Sequence, residues 1–195
     1  MISLNTVRIG PVAEERARRV FKVSEAGRLM VTRRAGREVR EALEGALSGL
    51  PKGGVLYVDT RGVEMMDYSF ADEALGILVS RVASGEHGDR HLVLVEEDRD
   101  LLENVEASLR QRGLAMIRVP EIGGEPSVVG GIKDHLLETL RAIQSAGSIT
   151  TAELAKRLGL NHTACNNRAT NLFRLGLVGR RPGHSGRQYI YERIA

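Results

Sequence analysis

The sequence predicts an α/β domain with a mixed sheet, followed by a small helical module that closes on a β-hairpin. Three observations carry that expectation. Strand-length apolar runs alternate with helical repeats from Arg18 to Val119, a stretch rich in Gly and Pro breaks every period over 120–131, and three amphipathic helical patterns precede a basic, Gly-containing turn. A chain of 195 residues has room for two small domains.

The strands come first. Phe21 to Val23, Leu29 to Val31, Val55 to Val58, Leu92 to Val95 and Ala115 to Val119 are aliphatic or β-branched runs of strand length. Ala26-Gly27 predicts a hairpin between the first two. Val39, Leu43, Ala46, Leu47 and Leu50 recur at three and four, as do Ala71, Ala74, Leu75, Leu78 and Val82, and Leu102, Val105 and Leu109. Helices alternating with strands imply βαβ units, whose right-handed crossovers make the later part of the sheet mostly parallel. Pro120 to Gly131 holds four Gly and two Pro in twelve residues and predicts a linker, dividing the chain into domains 1–119 and 132–195.

Beyond it, Ile132, Leu136, Leu140 and Ile143 form the stripe of a first helix. Thr150-Thr-Ala-Glu153 has the capping-box form, Leu154 and Leu158 face inward, and Gly159 supplies the left-handed residue that ends the helix. Asn161 caps the next helix, in which Cys165, Ala169 and Leu172 share the inner face. His162, Thr163, Asn166, Asn167, Thr170 and Arg174 are left on the outer face, and these types hydrogen-bond base edges and phosphates. After Leu175-Gly-Leu-Val178, Gly183 to Gly186 supply a turn, Tyr189 and Tyr191 alternate with Ile190, and Arg180, Arg181 and Arg187 lie on the turn side. Two helices, a Gly turn and a basic hairpin are what a helix-turn-helix with a wing requires, the wing cations lying beside phosphates or in the minor groove.

Charge agrees with that division. Residues 132–195 carry ten Lys/Arg against four Asp/Glu, and residues 1–131 carry 18 against 21, so only the C-terminal module seeks phosphate. Duplex DNA is the expected partner. The absence of Trp and the few other aromatic residues disfavour single-strand binding by base stacking. The single Cys165 excludes an intramolecular disulfide and fits a reducing, cytoplasmic setting, and no apolar run has the roughly 20 residues that span a bilayer. His87, His91, His135, His162 and His184 are scattered and read as surface residues rather than metal ligands, Gly-rich phosphate loops are absent, and no nucleophile and base assemble in sequence. No cofactor, metal or catalysis is expected.

The segment from about Leu140 to Ile194 resembles the winged helix-turn-helix family of bacterial regulators, especially the MarR and ArsR types, through Leu158-Gly-Leu160, Leu172 and Leu175-Gly-Leu-Val178. It departs from them at Ala169, where a larger aliphatic residue is usual. Residues from about 18 to 119 look like the STAS fold of anti-sigma-factor antagonists, the distinctive stretch being 55–76 with Met66-Asp-Tyr-Ser-Phe-Ala-Asp-Glu73. They look more closely like the STAS-like family of unknown function marked by a Phe-Ala-Asp-Glu helix start. That resemblance puts Ser69 on the position that a partner kinase phosphorylates in the antagonists, although Tyr68 and Phe70 replace the small neighbours usual there. Ser69 also has the composition of a plain N-cap, with Asp72 three residues on. The reading is a dimeric DNA-binding regulator, a STAS-like sensing or protein-interaction domain joined to a winged helix. The alternative is an anti-sigma-antagonist type of regulator whose winged helix contacts protein.

Overall fold

The computed structural model describes residues 16–183 and 188–195. Its centre is a five-stranded sheet in which β1 (Arg18–Lys22), β3 (Val55–Asp59), β5 (His91–Val95) and β6 (Ala115–Val119) run parallel. β7 (Ser127–Gly130) adds antiparallel to β6 at the edge. A separate two-stranded ladder joins β2 (Leu29–Met30) to β4 (Met65–Met66).

Strand order follows chain order, so right-handed crossovers put every connecting helix on the same face. These are α1 (Arg33–Ser48), the continuous helical run of α2 (Tyr68–Ala71), a π-helical turn (Asp72–Gly76) and α3 (Ile77–Ser84), and then α4 (Arg99–Gln111). The expected stripes fill that side: Val39, Leu43 and Leu47 of α1, Leu75, Leu78 and Val82 of the π turn and α3, and Val105 and Leu109 of α4 pack on Leu56, Val58, Leu92, Leu94 and Met116.

β3 and β5 are buried at all five positions, which requires cover on both faces. The second cover is the C-terminal module: α5 (Asp134–Ala146), β8 (Ser148–Thr150), α6 (Thr151–Leu158), α7 (His162–Arg174), and the hairpin of β9 (Gly179–Pro182) and β10 (Tyr189–Glu192). β10 lies between β8 and β9, antiparallel to both. This is a winged helix-turn-helix arrangement.

Three expectations are corrected. The runs flanking Ala26-Gly27 do not form a hairpin: β1 pairs with β3, β2 pairs with β4, and a 3₁₀ turn at Val23–Glu25 redirects the chain between the two sheets. Phe21, half-buried, packs against the helical layer only if β1 stays in the main sheet, and that packing outweighs the local turn signal. The stretch 120–131 is not simply a linker, because its last part is β7, with Val129 buried among the helices. Gly130, at φ 101°, passes so close to the Leu114 carbonyl and Leu109 that a side chain there would collide, so this glycine marks close approach rather than looseness. Nor does the linker separate two bodies. Val55, Tyr57, Val93, Val95, Ala115, Ile117 and Val119 of the sheet share one apolar core with Leu136, Leu140, Leu154, Cys165, Leu172 and Tyr191 of the winged helix.

Candidate nucleic-acid interface

Local chemistry builds the helix-turn-helix as expected. Thr150 and Glu153 form a complete capping box, the Thr150 hydroxyl accepting from the Glu153 amide at 3.3 Å and the Glu153 carboxylate accepting from the Thr150 amide at 3.0 Å. The Thr150 amide, and its hydroxyl donating to the same carboxylate at 2.7 Å, hold the Glu153 carboxyl below its usual range. α6 ends at Gly159, φ 64°, and the Asn161 side chain accepts from the Ala164 amide at 2.8 Å to open α7.

Cys165, Ala169 and Leu172 are fully buried, and burial pushes the Cys165 thiol up, away from reactive thiolate. At roughly 100° per residue the outer positions of α7 then fan across one arc. Thr163, Asn167 and Arg174 are exposed on it, and Asn166 and Thr170 are half-buried, whereas His162, expected on the same face, is exposed at the start of the helix on the side of Cys165 and Ala169. Thr170 is not wholly free, since its hydroxyl lies 3.2 Å from that of Tyr191 in β10. Asn171 is exposed on the same arc and belongs to the surface, although sequence reading passed over it. Arg168 turns the other way, donating to Glu138 at 3.1 Å and to the His135 carbonyl at 3.3 Å, which ties α7 to α5.

The wing arginines divide into roles that their shared sequence neighbourhood hides. Arg180 is stacked between Phe173 of α7 and Tyr189 of β10, its guanidinium carbon 4.1 and 4.3 Å from the two ring centroids. It therefore pins the wing to α7 rather than standing free. Arg181 is exposed and ion-paired to Glu192, whose other oxygen accepts from Arg16 at 2.6 Å. Burial alone would raise the Glu192 carboxyl, and the two guanidinium groups bring it below its ordinary value. Arg187 lies outside the described residues.

At the N-terminal module the expected Ser69 cap is corrected. Asp67 is the N-cap of α2: one oxygen accepts from the Phe70 amide at 2.7 Å and the other from the Thr32 amide at 3.1 Å. Ser69 is half-buried in the first turn. Phe70 is buried in the core rather than offered outward, and Tyr68 is half-buried, its hydroxyl donating to Gln111. Asp72 and Glu73 are both engaged by neighbouring side chains. Asp72 accepts from Ser108 and Arg112, each at 2.9 Å, and from Arg33 at 3.2 Å, while Glu73 meets Arg40 at 3.3 Å. Burial alone would raise Asp72, and the Arg112 and Ser108 bonds bring it below its usual range. His91, expected on the surface, is buried at the junction of sheet and winged helix.

Comparison with known proteins fits this geometry. Residues 133–178 match the family model described as winged helix-turn-helix DNA-binding. No curated protein and no solved structure matches the chain. Among the described residues no helix is long and apolar enough to cross a membrane.

Proposed function

We propose that this chain is a duplex-DNA-binding transcriptional regulator that acts as a homodimer. In this reading α7 enters the major groove and the β9–β10 wing lies along the backbone. One observation carries it: the outer arc of α7 presents Thr163, Asn166, Asn167, Asn171 and Arg174, all hydrogen-bonding types, on a module otherwise packed through its aliphatic face. Asn166 and Asn167 read base edges, Arg174 meets phosphate, and His162 and Thr163 sit where the N-terminal end of a recognition helix approaches the groove. Arg181 reaches phosphate only by leaving Glu192, so its contribution is the smaller one. Arg187 is assigned to the wing tip from the sequence alone.

The α/β module is assigned as a STAS-like sensing or protein-docking unit, on the strength of the Phe70-Ala-Asp-Glu73 stretch. Ser69, half-buried in the first turn of α2, is its regulatory residue, the place where a phosphate or a partner protein acts.

Selection of bound sequences from random duplexes tests the reading. Asn166→Ala with Asn167→Ala relaxes the selected sequence while the fold persists, and an unchanged preference overturns the assignment. Titration at several salt concentrations tests the phosphate contacts. Arg174→Ala lowers the slope of log affinity against log salt by about one unit, and Arg181→Ala by less. A wild-type affinity indifferent to salt would favour a protein ligand instead.

A further inference from the structure

The junction between sheet and winged helix holds a polar chain that neither module needs alone. His91 begins β5 and is 1 % exposed. Its Nδ1 lies 3.4 Å from the carbonyl oxygen of Gly176, between α7 and β9, and its Nε2 lies 3.4 Å from Asp89 Oδ1. That second approach is close enough for an ion pair but poorly aligned, and neither Nε2 nor Oδ1 has a hydrogen-bond partner elsewhere among the described residues.

A neutral imidazole carries one N–H and one lone pair. If Nδ1 holds the proton, the Nε2 lone pair faces the Asp89 carboxylate. If Nε2 holds it, the Nδ1 lone pair faces the Gly176 carbonyl. Either tautomer opposes two acceptors in a buried place, where an unmet polar group is costly. The imidazolium alone donates to both oxygens.

We propose that Asp89, His91 and the Gly176 carbonyl form a proton-dependent latch that fastens the end of α7 to the sheet. The surrounding charges are Asp89, Arg90 and His87 from the loop before β5, Arg174 from α7, Arg180 from β9, and Arg16 with its partner Glu192 of β10. Arg90 is engaged with the carbonyls of Leu50 and His87 at 2.8 Å each, and Arg180 with two aromatic rings, so neither takes the place of the imidazolium. Asp89, His91 and Gly176 also line a cavity of about 340 Å³ with Val82, Phe173 and Arg174.

The sign follows from the two partners. The latch contributes while the ring is doubly protonated and Asp89 ionised, and its contribution is lost when the ring gives up a proton. On the acid side it is lost when Asp89 takes a proton. The nearby His91 ring, working against burial and with help from Arg16 and Arg180, holds that carboxyl below its usual range, so that limit lies at low pH.

The test is thermal unfolding of the full chain from about pH 5.5 to about pH 8.5, the range over which an imidazole changes charge, in wild type and in Asp89→Asn. The substitution keeps the shape and supplies an amide N–H to the Nε2 lone pair, so a neutral ring is satisfied there. The wild-type melting temperature should fall across this range by roughly 3–8 °C more than that of Asp89→Asn. Long-range nitrogen spectra of the wild-type ring should show both nitrogens protonated at the acid end of the range. Equal pH slopes in the two proteins, or a ring already neutral at that end, overturns the latch.

Discussion

Asp67 and Ser69 show how one residue's role turns on a neighbour. Both are capping types, two positions apart, and each could open the helix that carries Phe-Ala-Asp-Glu. Phe70 decides between them, because starting the helix at Tyr68 buries that ring, and Asp67 is then placed to accept from Thr32 as well. Thr32, at φ 78° despite its branched side chain, is held in that conformation by the Asp67 bond and by its own hydroxyl accepting from the Ala35 amide at 3.4 Å. Asp67→Ala should therefore cost about 1–2 kcal/mol in chemical denaturation, whereas Ser69→Ala should stay within about 0.5 kcal/mol. A larger loss at Ser69 than at Asp67 would return the cap to the serine. The capping residue was beyond the sequence because the deciding contacts come from a ring in the core and a backbone amide 35 positions away.

At the scale of elements, the π turn between α2 and α3 explains why an Asp-Glu pair follows Phe-Ala. Gly76 faces Ser108 and Arg112 of α4 so closely that an added Cβ would collide with the Ser108 hydroxyl and crowd the Arg112 guanidinium. That closeness brings α4 within reach of Asp72. Gly76→Ala should destabilise by about 1–3 kcal/mol, the usual cost of overpacking, measured by urea unfolding, and a neutral result would show that α4 can move aside. Asp72 is depressed in the fold, so its contribution is full above the ordinary carboxylate range and is lost as pH falls through the folded value. Asp72→Asn should accordingly flatten the acid limb of the stability profile, and an unchanged limb would place the acid sensitivity elsewhere. The apolar repeats of α1, α3 and α4 were legible because their cause is local periodicity. The π turn was not, because its cause is lateral contact with α4. The wing shows the same limit: three arginines looked alike in sequence, and only Phe173, Tyr189 and Glu192 distinguish Arg180 from Arg181.

The whole molecule turns on the second face of the sheet. Val55-Leu-Tyr-Val58 and Leu92-Val-Leu-Val95 are apolar at consecutive positions, which by itself says that both faces are covered. The three helical crossovers lie on one face, so the other depends on residues beyond 131, and here they are α5 with the winged helix. The glycines and prolines of 120–131 concealed that dependence by suggesting a tether. Arg16 to Glu192 and His91 to Gly176 add polar ties across the same junction. Cutting the chain there would expose Tyr57, Val93, Val95, Ile117 and Val119 on one fragment and part of the aliphatic face of α5 on the other, at about 25 cal/mol for each Å² of apolar surface uncovered. The full chain should therefore unfold in urea as one cooperative transition, with fluorescence from the tyrosines of both halves and far-ultraviolet dichroism coinciding. A 132–195 fragment should melt well below the intact chain, and a 1–131 fragment should associate through its bare sheet face. Two resolved transitions in the full chain, or a 132–195 fragment as stable as the same segment within it, would show that the modules fold independently and that the shared core is a contact surface only.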